Sequence, residues 1–175
     1  MTTTSSQGAG APGARLAVGD RPEPFALPDQ TGTTRSLKDL LDGATRGLIV
    51  YFYPQALTPA CAQQACDARD RHELFLDAGY RIVGVSPDPV ERLARAVERD
   101  SLPFPLLSDE DHRVAEAWGA WGEKKNCGRT YEGLIRSTVV LGPDGAVTWS
   151  RYNVRAKGHM ALLARELGLA EGPAA

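Results

Sequence analysis

The chain alternates short apolar runs with amphipathic stretches, the pattern expected of strands that are joined by helices. Residues 48–53 and 80–85 are almost uninterrupted apolar runs, which favours strands that are buried on both faces. Gly79 supplies a stop signal for the longest helix. The predicted elements in this part of the chain are a helix over 36–41, a strand over 48–53, a helix over 59–78, a strand over 80–85, a helix over 90–99, a strand over 104–107 and a helix over 112–118.

The last third of the chain follows a different pattern, in which two strands are joined directly by a turn. Residues 137–141 and 146–152 are rich in β-branched and aromatic residues, and the turn sequence Gly-Pro-Asp-Gly at 142–145 separates them. A final helix is predicted over 159–167. Together the elements predict an α/β domain with a mixed central sheet and helices on both faces. Periodicity alone leaves other three-layer α/β arrangements open.

The two ends of the chain differ from its middle in amino-acid composition. Residues 1–14 are rich in Thr, Ser, Gly, Ala and Pro, and they contain too little apolar surface to offset the entropy of ordering them. We therefore expect a disordered tail at 1–14, a single domain at 15–170 and a short C-terminal tail at 171–175. A domain of that length can bury a sizeable core without disulfide bonds.

Charge and apolar content exclude several classes of partner. The 20 Lys and Arg residues nearly balance the 22 Asp and Glu residues, and no basic run predicts binding to nucleic acid or to an anionic membrane. No segment approaches the ~20 apolar residues that span a bilayer, and the first residues lack the pattern of a signal peptide. Three cysteines are too few for a secreted disulfide framework. A cytoplasmic protein is expected.

Cys61 occupies a position that favours a reactive thiolate. Thr58 can serve as the N-cap of the helix over 59–78, and Pro59 suits its first position. Cys61 would then lie in the first turn, among amide N–H groups that no earlier carbonyl accepts. These amides and the positive end of the helix dipole stabilise an anion. A strand, a tight turn and then a nucleophile form a layout typical of an active site.

At this point the sequence resembles a known family. The pattern Pro54-x-x-x-Thr58-x-x-Cys61 is similar to the peroxidatic motif of the peroxiredoxins, and a second cysteine five positions later resembles the bacterioferritin comigratory protein branch, also called peroxiredoxin Q. The resemblance covers roughly residues 16–168 and implies a thioredoxin-like fold. It also includes the segments Val-Gly-Val-Ser-Pro-Asp at 83–88, Phe-Pro-Leu-Leu-Ser-Asp at 104–109, Gly-Arg-Thr-Tyr-Glu-Gly at 128–133 and Ile-Arg-Ser-Thr at 135–138.

The resemblance implies a thiol-dependent peroxidase that reduces hydrogen peroxide and organic hydroperoxides. Cys61 would be the nucleophile, Thr58 would offer its hydroxyl to the peroxide or the thiolate, and Pro54 would shape the turn and limit solvent access. Arg136 is assigned by resemblance as the cation that favours the thiolate and orients the peroxide. Arg129 and Arg151 are weaker candidates for that role.

Cys66 is the candidate that resolves the Cys61 sulfenic acid as a disulfide. On an intact helix the two Cα atoms lie about 8 to 9 Å apart, whereas a disulfide needs less than about 7 Å. We therefore predict that the helix unwinds locally during each catalytic cycle. The resemblance implies that thioredoxin or a similar dithiol then reduces the disulfide. No cofactor is predicted, and a monomer or a weak homodimer is expected.

Other interpretations compete with this one. Cys127, beside a glycine in a predicted loop, is most simply a bystander thiol. A zinc site built from Cys61, Cys66 and a histidine is disfavoured, because zinc-binding cysteine pairs are usually closer in sequence and the three histidines are scattered. A thioredoxin-type thiol-disulfide oxidoreductase would normally carry Cys-x-x-Cys. A noncatalytic binding domain would leave the motif from Pro54 to Cys61 unexplained.

Overall fold

The computed structural model describes residues 14–169, so the predicted tails lie outside this range except for Ala14. Within it, the helices are α1 Leu37–Leu41, α2 Pro59–Asp70, α3 His72–Asp77, α4 Val90–Asp100, α5 Arg113–Ala117 and α6 His159–Glu166. The strands are β1 Ala26–Pro28, β2 Thr34–Ser36, β3 Gly47–Phe52, β4 Tyr80–Ser86, β5 Leu106–Ser108, β6 Trp121–Asn126, β7 Arg129–Leu134, β8 Ser137–Leu141 and β9 Val147–Tyr152. Among these residues no helix is long and apolar enough to cross a membrane.

The main sheet has the strand order β5-β4-β3-β8-β9. Strands β3, β4 and β5 run parallel, and β8 and β9 are antiparallel to their neighbours. All six residues of β3 are buried, which explains why its sequence is an unbroken apolar run rather than an alternation. The predicted mixed sheet is confirmed.

Helices cover both faces of this sheet. Side chains of β3 alternate between two apolar clusters: Ile49 and Tyr51 belong to one, and Val50 and Phe52 belong to the other. Helices α2, α3, α4 and α6 contribute to the first cluster, and α1 and α5 contribute to the second. The predicted three-layer arrangement is therefore confirmed, and α2 packs on the face that holds Cys61.

The prediction of one continuous helix over 59–78 is wrong, because the chain leaves helical geometry at Arg71 (φ −106°, ψ 4°). In a continuous helix the Asp67 carbonyl would accept the Arg71 backbone N–H. Instead that carbonyl accepts a hydrogen bond from the Arg71 guanidinium at 3.3 Å, and the backbone N–H donates to Ala68 O at 3.3 Å. The tightened turn separates α2 from α3.

Two hairpins were not predicted from the sequence. Strands β1 and β2 form a short pair, and β6 and β7 form a longer one in which Asn126 is opposite Arg129. Cys127 and Gly128 make the connecting turn with φ values of +51° and +76°, a geometry typical of tight β-hairpins. Cys127 is thus an exposed turn residue, whereas the surrounding residues are strand rather than the predicted loop.

Candidate active site

Cys61 lies where the central strand β3 delivers the chain to α2. The strand ends at Phe52, the chain turns over residues 53–58, and α2 begins with Pro59. Cys61 is the third helical residue and is only 4% exposed. Its position in the first turn places the thiol at the positive end of the helix dipole, as the sequence predicted.

Thr58 occupies the N-cap position, but its side chain does not cap the helix. The hydroxyl donates instead to the Gln55 carbonyl at 2.8 Å. The predicted cap is therefore correct in position, but the Thr58 oxygen accepts no N–H of the first turn, because the hydroxyl is turned towards Gln55. With its proton directed to Gln55, the Thr58 oxygen keeps lone pairs that can accept a hydrogen bond.

Arg136 contacts the Cys61 thiol directly, and its Nη2 lies 3.3 Å from Sγ. The sheet register explains how a residue so distant in sequence reaches this point. Ser137 on β8 is opposite Phe52 on β3, so Arg136 arrives at the end of β3 where the turn begins. Arg151 pairs with Glu166 at 3.1 Å, and Arg129 is exposed on β7. Of the three arginines that were considered, Arg136 is the one that the fold brings to Cys61.

Gln64 is a site residue that sequence reasoning missed. It is fully buried on α2, three positions after Cys61, and its Oε1 accepts a hydrogen bond from Arg136 Nη1. Residues three apart on a helix lie on the same face, so the spacing was available as a signal. Because Arg136 uses one nitrogen for Gln64 and the other for Cys61, Gln64 fixes the guanidinium against the thiol.

Lys124 is a second residue that was missed. It lies on β6 opposite Tyr131 and is partly buried. Burial lowers the pKa of its ammonium group, the positive charge of Arg136 lowers it further, and negative charge on Cys61 acts in the opposite direction. Lys124 is therefore a second cation whose charge acts on Arg136 and Cys61. No sequence signal could have found it, because the hairpin that carries it was not predicted.

Cys66 lies farther along α2 in a different environment. The helix is unbroken between the two cysteines, both thiols are free, and Cys66 is more exposed than Cys61. Burial raises the pKa of the Cys66 thiol, and the Asp100 carboxylate raises it further. The intact helix keeps the two cysteines beyond disulfide distance, at about 8 to 9 Å between Cα atoms.

A small, largely apolar cavity adjoins Cys61. Tyr51 contributes a fully buried ring whose hydroxyl stays neutral, because burial raises its pKa well above the usual value. The cavity has a volume of only about 10 Å³ and is lined by Tyr51, Tyr53, Ala56, Leu57, Cys61, Ala62, Ala65, Ala96, Asp100, Leu102 and Leu106.

Each of the three histidines contacts a residue other than the two cysteines of α2, and His72 packs against Phe104 with 5.9 Å between ring centroids. His112 stacks on Trp121 at 3.8 Å between ring centroids, and His159 pairs with Thr138 at 2.8 Å. Across residues 14–169, no group of three or more His, Cys, Asp or Glu side chains is arranged to hold a metal ion.

Comparisons with known proteins place this geometry in a family. The AhpC/TSA family profile matches residues 18–150. A Mycobacterium tuberculosis relative named as a peroxiredoxin, Rv2521, is 49% identical over 89% of this chain and 97% of its own length. Escherichia coli peroxiredoxin Bcp is 43% identical over 75% of this chain and 83% of its own length. The Xanthomonas campestris bacterioferritin comigratory protein superposes with a TM-score of 0.75 at 30% identity, covering 82% of this chain and 90% of that one. The chain belongs to the AhpC/TSA family and is a peroxiredoxin with a thioredoxin fold.

Proposed function

We propose that this thiol-dependent peroxidase uses Cys61 to reduce hydroperoxides. The Cys61 thiolate attacks one oxygen of the peroxide, an S–O bond forms, and the O–O bond breaks. The second oxygen leaves as hydroxide or alkoxide and takes a proton from solvent to give water or an alcohol, and Cys61 becomes a sulfenic acid. The observation that carries the proposal is the 3.3 Å contact between Arg136 Nη2 and Cys61 Sγ at the start of α2.

The surrounding groups suit the charge that this step develops. The guanidinium of Arg136 is a permanent cation that stabilises the thiolate and then the oxygen that leaves. The first-turn amides of α2 supply further positive potential. Thr58 offers its hydroxyl oxygen to the proton of the incoming peroxide, and Pro54 shapes the turn that limits access to a thiol that is only 4% exposed.

Resolution by Cys66 completes the proposed cycle. The Cys66 thiol condenses with the Cys61 sulfenic acid, an S–S bond forms, and water leaves. Because α2 is unbroken between the two residues, its first turns must unwind before the sulfur atoms can meet. Thioredoxin or a similar dithiol then reduces the disulfide by thiol-disulfide exchange. An oxidised protein that kept α2 intact while holding this bond would contradict the geometric argument.

Organic hydroperoxides are the proposed preferred substrates. Ala56 and Leu57 give the turn before Cys61 an apolar character, which suits the organic part of an approaching hydroperoxide. The related Xanthomonas campestris structure was studied for its alkyl peroxide reduction activity. We expect kcat/KM for cumene hydroperoxide to exceed that for hydrogen peroxide. A clear preference for hydrogen peroxide would reject this part of the proposal.

The proposed cellular compartment is one that can reduce the disulfide formed in each cycle. A reducing compartment such as the cytoplasm supplies the dithiols that the cycle requires. Action as a monomer or a weak homodimer stays a prediction, and light scattering of the reduced and oxidised protein would test it.

Peroxide consumption coupled to thioredoxin and thioredoxin reductase tests the proposed function. Wild-type protein should consume peroxide at a rate that depends on thioredoxin, and Cys61→Ser should abolish consumption. Cys127→Ser is the matched control and should retain full activity, because Cys127 is an exposed turn residue. Activity that survived Cys61→Ser would overturn the assignment, and reduction of insulin disulfides without peroxide consumption would indicate a thioredoxin-type oxidoreductase.

A further inference from the structure

The turn that precedes Cys61 holds a strained residue. Leu57 has a φ of +69°, in the left-handed region that residues other than glycine rarely adopt. Such a conformation costs about 1 kcal/mol or more and persists only where neighbouring contacts enforce it. Because Leu57 lies just before the N-cap of α2, whatever enforces its conformation also fixes the start of the helix and Cys61.

The enforcing contacts converge on Ala56, the residue before Leu57. The Ala56 N–H donates to Asp88 Oδ2 at 2.7 Å. The Ala56 carbonyl accepts two hydrogen bonds from Arg92, from Nε at 3.0 Å and from Nη2 at 2.8 Å. Asp88 and Arg92 are themselves paired at 3.4 Å. One ion pair therefore holds both backbone polar groups of a single buried residue, Ala56.

This ion pair is anchored in the rigid part of the fold. Asp88 is 5% exposed, and its Oδ2 also accepts a hydrogen bond from the Ser86 hydroxyl at 2.7 Å. The Ser108 hydroxyl donates to the Asp88 carbonyl at 2.5 Å. Arg92 lies in the first turn of α4. The ends of β4 and β5 and the start of α4 thus fix the ion pair, and its hydrogen bonds to Ala56 are of the stronger, charge-assisted kind.

We propose that the Asp88–Arg92 pair is a latch that holds the turn at residues 54–58, and with it Cys61, in the arrangement that reacts with peroxide. The proposal rests on the function proposed above, in which α2 must unwind for Cys66 to reach Cys61. Unwinding of α2 requires Leu57 to change its backbone conformation. Loss of the hydrogen bonds between the Asp88–Arg92 pair and Ala56 lets Leu57 leave its strained conformation. The latch therefore favours the first step of the cycle and opposes the second.

The latch has a chemical consequence because the Cys61 sulfenic acid has two fates. Condensation with the Cys66 thiol forms the disulfide and water. Attack by Cys61 on a second hydroperoxide forms the sulfinic acid and an alcohol or water, and this product is not returned by a dithiol. A tight latch slows disulfide formation and so allows more of the sulfenic acid to be oxidised to the sulfinic acid. Asp88 and Arg92 are thus positioning residues that set how often the enzyme inactivates itself.

The test compares Arg92→Ala with Arg95→Ala, an exposed arginine on the same helix. Stopped-flow mixing with one equivalent of peroxide gives the rates of Cys61 oxidation and of disulfide formation. Intact mass after excess peroxide gives the fraction of protein that has gained two oxygen atoms. We expect Arg92→Ala to slow the first step several-fold, to accelerate disulfide formation several-fold and to lower the sulfinic fraction. Arg95→Ala should match wild type.

A slower oxidation of Cys61 together with a faster formation of the disulfide distinguishes a latch from a structural defect, which would slow both steps. Arg92→Lys keeps the cation but loses the paired hydrogen bonds, so its two rates and its sulfinic fraction should lie between those of wild type and Arg92→Ala. If Arg92→Ala does not fold, the comparison of Arg92→Lys with wild type tests the latch. An unchanged or raised sulfinic fraction in a folded variant overturns the latch. Wild-type protein that leaves Cys61 unoxidised overturns the proposed function itself.

Discussion

Two cysteines on one helix meet opposite surroundings in this protein. Cys61, in the first turn of α2, is almost fully buried and lies 3.3 Å from a guanidinium nitrogen of Arg136. Cys66, farther along the same helix, is more exposed, and the largest electrostatic influence on its thiol comes from the Asp100 carboxylate. Exposure alone would make Cys66 the more reactive thiol, whereas the neighbouring charges support the proposal that Cys61 reacts with the peroxide.

The contrast suits a division of labour between the two thiols. A nucleophile benefits from cations that keep it ionised, whereas a resolving thiol that stays protonated does not compete for the peroxide. The helix supplies both environments because its first turn follows the end of β3, whereas its last turn contacts the end of α4. There Arg69 donates a hydrogen bond to the Asp100 carbonyl.

Removing the cation beside Cys61 should have the largest effect. Arg136→Ala removes a charge-assisted hydrogen bond of about 1.5 to 3 kcal/mol together with the positive charge, so the rate of Cys61 oxidation should fall by about 100-fold. Stopped-flow measurement of peroxide reduction provides the rate. Arg129→Ala, an exposed arginine on the hairpin, should leave it unchanged. A loss of less than about fivefold in Arg136→Ala would remove Arg136 from the mechanism.

Acid should destabilise the fold through His159, whose ring is buried and pairs with the Thr138 hydroxyl. Burial lowers the pKa of His159 from 6.5 to about 4, and the charges of Arg151 and Arg136 act in the same direction. Between those two pH values the unfolded chain binds a proton that the native state does not, so the free energy of unfolding falls as pH falls. The difference amounts to about 3 kcal/mol at most.

Urea unfolding of wild type and of His159→Gln at pH 7 and at pH 4 measures this contribution. The variant should lose less stability than wild type over that interval, because Gln does not titrate. Equal losses in the two proteins would show that His159 is not the responsible group.

Loosening the hold on Arg136 should have a smaller effect than removing it. Gln64→Ala deletes the acceptor of Arg136 Nη1, and the loss of one such hydrogen bond corresponds to about tenfold in the rate of Cys61 oxidation. Gln63→Ala is the matched control, since Gln63 is exposed on the same turn and pairs with Asp67. In the double variant with Arg136→Ala the effect of Gln64 should largely vanish. Full additivity would mean that Gln64 does not act through Arg136.

Neutralising the anion near Cys66 should have the smallest effect. Asp100→Asn removes a charge that raises the pKa of Cys66, so more thiolate is present at neutral pH and disulfide formation should accelerate. Because Cys66 is partly exposed and screened by solvent, we expect about a twofold to threefold change. The pH profile of disulfide formation should shift to lower pH, whereas Asp77→Asn on α3 should leave it in place. An unshifted profile would separate Asp100 from the resolving step.

The sequence predicted those parts of the fold that depend on strong local signals. The apolar run that became β3 indicates a strand whatever its neighbours, and the Thr58-Pro59 pair marks the start of α2. The β6–β7 hairpin carries no such signal, since residues 129–132 are exposed in succession and show no alternation. Its strands are defined by pairing with each other, which local sequence does not encode.

The residues of the candidate site also differ in whether local sequence could predict them. Cys61, Thr58 and Pro54 follow one another along the chain, so their spacing indicated their proximity. Arg136 reaches the site through the register of β8 against β3, and only the family resemblance could predict its arrival. Gln64 shows a further limit: the helical spacing was visible, but which face of α2 would be buried against Arg136 depends on tertiary packing.

Peptide mapping under nonreducing conditions tests the division of labour most directly. Fully reduced protein receives one equivalent of hydroperoxide, and the products are mapped by mass spectrometry, with Cys66→Ser as the control. We predict the loss of two thiols, a bond between Cys61 and Cys66 within one chain, and a free Cys127. The control should stop at the Cys61 sulfenic acid. Pairing of Cys61 with Cys127 would contradict the role of Cys66, and survival of all three thiols would contradict the catalytic role of Cys61.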